Sequence, residues 1–193
     1  MRTREVLVVA LLVIGQATLL LRTAWDKANV VDEPVYLTSA AMLWHRGDFD
    51  FNKESPALPK WAFATALRLL DPRFASPPEG DPVAIEKRLL WSRTPGELRR
   101  VLLIARLPTI LVTILTGVLL WLTGRRWSPL TGVLSQCLWS FSPLVLASGS
   151  LAKLDAWSAA LVATTLLLAV RFGTGLRLIR CLRVLDMPLG SAD

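Results

Sequence analysis

The run from Val101 to Thr123 is 23 residues long and carries a single charge, Arg106, with Pro108 two positions later. About 20 apolar residues in helical form cross a hydrocarbon core of ~30 Å, and only a helix or a closed barrel satisfies its own backbone there. Three more apolar runs accompany it, at Val6 to Leu21, Leu130 to Ala147 and Leu151 to Phe172. Hydrophobic residues make up 53% of the chain, and their gathering into these runs decides the class. The expected fold is all-α and integral to a membrane, with about four transmembrane helices at 6–25, 101–123, 130–147 and 151–172.

The connectors fit that division. Arg2 and Arg4 precede the first run, which is short for a span unless Arg22 snorkels and Trp25 anchors at the interface. A basic start before an apolar stretch is also the form of a cleaved signal peptide, but no clean small-x-small site follows it. Gly124 to Pro129 forms a tight connector with Trp127 at the boundary, and Ser148-Gly149-Ser150 breaks the third run from the fourth. Residues 1–5, 124–128 and 171–193 together hold eight Lys/Arg against three Asp/Glu. With four spans they share one side, which the positive-inside rule makes cytoplasmic. The long segment 22–100, with twelve basic and eleven acidic residues, is then external. The expected organisation is a multi-pass membrane domain over 1–172, an external loop at 26–100, and a basic cytoplasmic tail at 173–193. The expected setting is a bacterial inner membrane, with the N-terminus cytoplasmic and the loop periplasmic or extracellular.

The net charge of +7 does not point to nucleic acid, because the basic residues flank apolar spans. Cys137 and Cys181 fall at different expected depths, and neither has a metal-ligand spacing. His45 is the only histidine, so a histidine metal cluster cannot be built.

Within the external loop, Tyr36, Leu37, Ala40, Met42, Leu43 and Trp44 recur at near-helical spacing until Gly47. Pro56 to Leu70 repeats the pattern, so two amphipathic juxtamembrane helices are expected in the interface. A loop rich in breakers follows at 71–82, then a weaker helical piece at about Val83 to Ser92.

The charges inside this frame carry the chemistry. Asp32 and Glu33 precede a proline, which suits a helix start, but they also stand at an interface where an ionised carboxylate is costly and more often functional. A carboxylate there acts as a general base toward a hydroxyl or as a ligand for a divalent ion. Asp155 opens the fourth run on the same side, more than 120 positions away; stabilisation of a helix N-terminus is its plainer reading. Arg106, inside the second run, requires a partner such as an aspartate or a lipid phosphate. Lys60 is a second phosphate candidate, with snorkelling as the plainer reading.

The motifs DEPVY at 32–36 and SPALPK at 55–60 resemble the Asp-Glu and His-Pro-Pro-Leu-x-Lys motifs of the protein O-mannosyltransferases, family 39 of the C-type membrane glycosyltransferases. The stretches at 105–127 and 142–157 are similar to the next two spans of that family, and to those of the bacterial transferase that adds aminoarabinose to lipid A. The resemblance runs to about Phe172. Family members carry more spans, so it corresponds to their N-terminal portion and implies a partial C-type glycosyltransferase fold.

It further implies transfer of a hexose or pentose from a polyprenyl-phosphate donor to a protein or lipid acceptor in the cell envelope. Asp32, Glu33 and Asp155 take the catalytic positions, with Asp32 and Asp155 as the pair for a divalent metal ion. Lys60 and Arg106 take the positions that meet the donor phosphate, and Glu54 and Ser55 support them. Ser55 stands where the family has His, and Ala57 where it has the second Pro. The partners implied are the lipid-linked donor, membrane lipids and the acceptor. Two other readings stay open: a non-catalytic remnant that binds polyprenyl lipid or a partner, and a transporter fragment. A reading frame continuing past Asp193 into further apolar spans is expected for the enzyme and not for the remnant.

Overall fold

In the computed structural model, residues 3–76 and 80–173 are described. Their regular structure is all helical, and no strand occurs among them. The helices are α1 (Thr3–Asp26), α2 (Asp32–Arg46), α3 (Ala57–Leu70), α4 (Pro82–Glu86), α5 (Pro95–Gly124), α6 (Pro129–Phe141), α7 (Pro143–Gly149) and α8 (Asp155–Gly173). A 3-10 turn at Pro72–Ala75 follows α3, and a π turn at Lys87–Trp91 follows α4.

Helix α5 is the central pillar, touching α1, α3, α6, α7 and α8. It begins before its apolar run because Thr94, Pro95 and Glu97 form a complete start signal. The Glu97 carboxylate accepts from the Thr94 N–H at 2.9 Å, and the Thr94 hydroxyl accepts from the Glu97 N–H at 3.4 Å. Pro95 occupies the first turn, where its missing N–H costs nothing. At 1.5 Å per residue the helix is about 45 Å long, more than a bilayer core needs. Its first turns therefore extend past the apolar run and serve as a wall for α3 and the π turn.

Two helices, α1 and α5, are long and apolar enough to cross a membrane. The expected third span is two pieces, α6 and α7, bent by 59° at their junction. Pro143 explains the break: it lacks an N–H, and it pushes Ser142 out of the helical region to ψ 121°. In α8, the stretch Asp155–Leu168 among the described residues is apolar and shorter than a span of about 20 residues. The described residues thus hold two membrane-length helices, or three with the bent pair, where sequence reading expects four. Beyond Gly173, the expected basic tail lies outside the described residues.

In lipid, helix association relies on close packing, and small residues permit it. A Cβ on Gly117 would stand 2.8 Å from the Trp139 ring and 2.9 Å from the Gln136 amide. At the end of α5, a Cβ on Gly124 would meet the Gly132 Cα at 3.0 Å. These glycines set how near α6 lies to α5.

The loop helices form a cap at one end of the pillar. Leu37, Met42, Phe63, Leu67, Phe74 and Leu90 are buried together with Leu102 and Ala105 of α5. So α2 and α3 bury one face on each other and on α5, while Leu58, Trp61 and Leu69 keep a second apolar face exposed. Helix α2 ends where Gly47 takes φ 63°, its N–H donating to the Leu43 carbonyl at 3.1 Å. The weaker helix expected at 83–92 is split into α4 and the π turn, in which the Ser92 N–H reaches back to the Lys87 carbonyl at 2.8 Å. The chain's geometry therefore brings the start of α2, the middle of α5 and the α7–α8 connector to one end of the bundle.

Candidate functional site

The first turn of α2 places Asp32 and Glu33 side by side, and they meet opposite environments. Glu33 points inward and is 0% exposed. Its carboxylate accepts from Arg106 Nε at 2.8 Å and Nη2 at 2.7 Å, a paired fork. It also accepts the Val30 N–H at 3.0 Å and the Ala152 N–H at 2.8 Å. Arg106, likewise 0% exposed, gives its other N–H groups to the carbonyls of Ala24, Lys27 and Ala28. All five guanidinium donors are used, and the carboxylate accepts four hydrogen bonds.

That saturation changes what the two residues are able to do. A proton acceptor needs a free lone pair, and a phosphate clamp needs free N–H groups. Neither is left on Glu33 or Arg106, so the catalytic role expected for Glu33 and the phosphate contact expected for Arg106 do not fit this geometry. The pair instead ties the end of α1, the start of α2, α5 and the α7–α8 connector into one joint.

Asp32 points the other way, with its side chain 54% exposed. Its Oδ2 lies 2.9 Å from the Lys153 ammonium, which comes from the connector that Glu33 holds through Ala152. Tyr36, one turn along α2, lies within electrostatic range of both Asp32 and Asp155. Burial, then the two carboxylates, push its phenol above the ordinary value, and Lys153 opposes them. The hydrogen bond to Asp32 holds the Lys153 ammonium above its ordinary value, with Asp155 and Tyr36 adding to the effect. Asp32, Lys153, Tyr36 and Asp155 therefore form one electrostatic cluster. Asp155 also lines an apolar cavity of about 250 Å³ with Thr113, Trp139, Leu144 and Ser148.

Lys60 belongs elsewhere. It is 3% exposed, and its ammonium donates to the carbonyls of Asn52 at 2.7 Å and Phe51 at 3.4 Å. Burial lowers its pKa, partly offset by Asp48. With Glu54 and Ser55 it lines a cavity of about 390 Å³ that also takes in Asp50 and Lys53. The Ser55 hydroxyl donates to the Asn52 Oδ1 at 3.0 Å. Asp32 and Asp155 thus both act on Lys153 and Tyr36, while Lys60, Glu54 and Ser55 line a separate cavity, with the buried pair beside them.

For a divalent ion, Asp32 and Asp155 are the two carboxylates in the cluster. A Lys153 ammonium already lies against Asp32, and among the described residues no group of three or more His, Cys, Asp or Glu gathers as a metal site would require. Two carboxylates, one of them already paired with an ammonium, fall short of the set of oxygen ligands a divalent ion takes.

Lys153 and Tyr36 do not stand out in the sequence by residue type alone. The available signals were the spacing of Tyr36 four residues after Asp32, on the same helical face, and Lys153 two residues before Asp155.

No family model matches the chain, and no curated protein and no solved structure matches it either.

Proposed function

We propose that this chain is part of a membrane glycosyltransferase that moves a sugar from a polyprenyl-phosphate donor to a hydroxyl acceptor at the outer membrane face. The observation that carries the reading is the half-exposed Asp32 held beside Lys153 and within range of Asp155, on a scaffold fixed by the saturated Glu33–Arg106 pair. With an ammonium at 2.9 Å, the Asp32 carboxylate points in a defined direction and keeps lone pairs open to solvent.

In this reading Asp32 takes the proton of the acceptor hydroxyl as general base. The acceptor oxygen bonds to the anomeric carbon while the bond from that carbon to the phosphate oxygen breaks, and the lipid phosphate leaves with the electron pair. The apolar cavity beside Asp155, about 250 Å³, takes the first units of the lipid tail. Negative charge grows on the leaving phosphate, and an aimed cation lowers that barrier. Lys153 is the cation within the cluster; Lys60 has one ammonium N–H beyond its two carbonyl contacts. Glu33 and Arg106 act as positioning residues.

The test is sugar transfer by the complete gene product, reconstituted with polyprenyl-phosphate-linked hexose and pentose. Asp32→Asn is expected to cut turnover by roughly 10²- to 10⁴-fold, the usual contribution of a general base, while the protein stays folded and still binds the donor. Transfer at the wild-type rate in Asp32→Asn removes the base assignment. Donor binding without turnover in the wild type selects the non-catalytic, lipid-binding reading.

A further inference from the structure

Away from the Asp32 cluster, the 3-10 turn after α3, the π turn and the first turns of α5 enclose two adjoining cavities. They measure about 220 and 470 Å³ and meet at Pro72 and Arg73. Four arginines line them. Arg93 is buried and gives two N–H groups to Asp71, and Arg73 reaches Glu97 at 2.8 Å. Both carboxylates are committed: Asp71 also accepts the Arg73 backbone N–H, and Glu97 closes the cap of α5. Arg88 and Arg100 are exposed, one on each cavity, and neither guanidinium has a hydrogen-bond or ion-pair partner among the described residues. The π turn that presents Arg88 is a rare geometry, found more often at functional sites than elsewhere.

We infer that this groove binds a phosphate group, with Arg88 and Arg100 as its free donors and Arg73 between them. Guanidinium forks match the spacing of phosphate oxygens, and the two cavities are of the size that holds a small ligand. Position favours a lipid headgroup as the source of the phosphate. With α5 read as a span, Arg100 stands six residues before Arg106, about 9 Å further along the axis and roughly 120° around it. That puts the groove near headgroup level, on a different face of α5 from the Glu33–Arg106 joint. The inference rests on α5 crossing a membrane and is independent of sugar transfer.

The test titrates the full chain, purified in a neutral detergent, with dihexanoyl phosphatidylglycerol and separately with inorganic phosphate, binding being followed by calorimetry. The expected result is saturable binding of the lipid that weakens with salt and falls at least about tenfold in the Arg88→Gln/Arg100→Gln variant. The single variant Arg126→Gln, at the opposite end of α5, is expected to bind as the wild type does. Inorganic phosphate bound as tightly as the lipid, with the same loss in the double variant, supports the site but makes free phosphate its source. If wild type binds neither, or Arg126→Gln weakens binding as much as the double variant, the groove is not a phosphate site. Because Arg88 and Arg100 are exposed and unpaired, the double variant is expected to keep its helical circular dichroism, and a wild type that binds neither probe overturns the site whatever the variant does.

Discussion

Asp32 and Glu33 are adjacent on α2, yet one carboxylate is half exposed against a single lysine and the other is sealed against an arginine with every hydrogen bond satisfied. The contrast separates two uses of an ion pair. A sealed pair has no spare valence, so it fixes backbone segments relative to one another. A half-exposed pair is worth little to stability, and for that reason its carboxylate remains available for chemistry. One turn of helix thus carries both the support and the candidate reactive group, and the support determines where the second one stands.

The sharpest way to break this comparison is to remove one partner of the sealed pair. Arg106→Met leaves Glu33 as an uncompensated buried charge, and the expected loss is about 3–5 kcal/mol. For a chain of this size that is a fall in melting temperature on the order of 10 °C, read by thermal unfolding in detergent. Glu33→Leu combined with Arg106→Met removes both charges and is expected to recover part of the loss, although three carbonyls lose their donor. A single-variant loss below about 1 kcal/mol would mean that the joint is not sealed in the way the contacts describe.

The same measurement on the neighbouring pair sharpens the contrast. Asp32→Asn and Lys153→Met each remove the exposed bridge, and each is expected to cost less than about 1 kcal/mol. Similar losses at Asp32 and Glu33 would abolish the distinction between support and reactive group, and with it the reason to assign the chemistry to Asp32.

How much of this was legible in the sequence follows from the range of the forces involved. Helices were legible because 3.6-residue periodicity is local, as in α2 from Asp32 to Gly47 and in α3. The common location of Asp32, Glu33 and Asp155 was also legible, since counting spans places distant residues at the same end of a bundle. The break at Ser142 had its cause in plain view in Pro143, but the apolar pattern ran through it. What could not be read was rotation: periodicity does not say that Glu33 rather than Asp32 faces Arg106. That depends on a fork spanning 73 positions and on carbonyls in and just past the last turn of α1 that no pattern marks. The surroundings of Lys60 were hidden for the same reason. Its burial follows from the turn at Asn52, with φ 55°, which folds two carbonyls over the ammonium and away from the Asp32 cluster.

The two lysines supply the smallest and most specific test, because they depart from ordinary behaviour in opposite directions. Burial lowers the pKa of Lys60, so between its folded value and the ordinary value near 10.5 the unfolded chain holds a proton that the folded chain lacks. Stability from this group therefore rises with pH across that window. Lys153 is held above its ordinary 10.5 by Asp32. Its contribution is complete below 10.5 and falls as pH climbs through the raised folded value, where the folded chain binds the extra proton. Melting curves from pH 8 upward should show the first slope vanish in Lys60→Met and the second vanish in Lys153→Met, each leaving the other intact. A wild-type slope unchanged in Lys60→Met would place that ammonium in water and return it to the set of surface charges; an unchanged slope in Lys153→Met would detach it from Asp32.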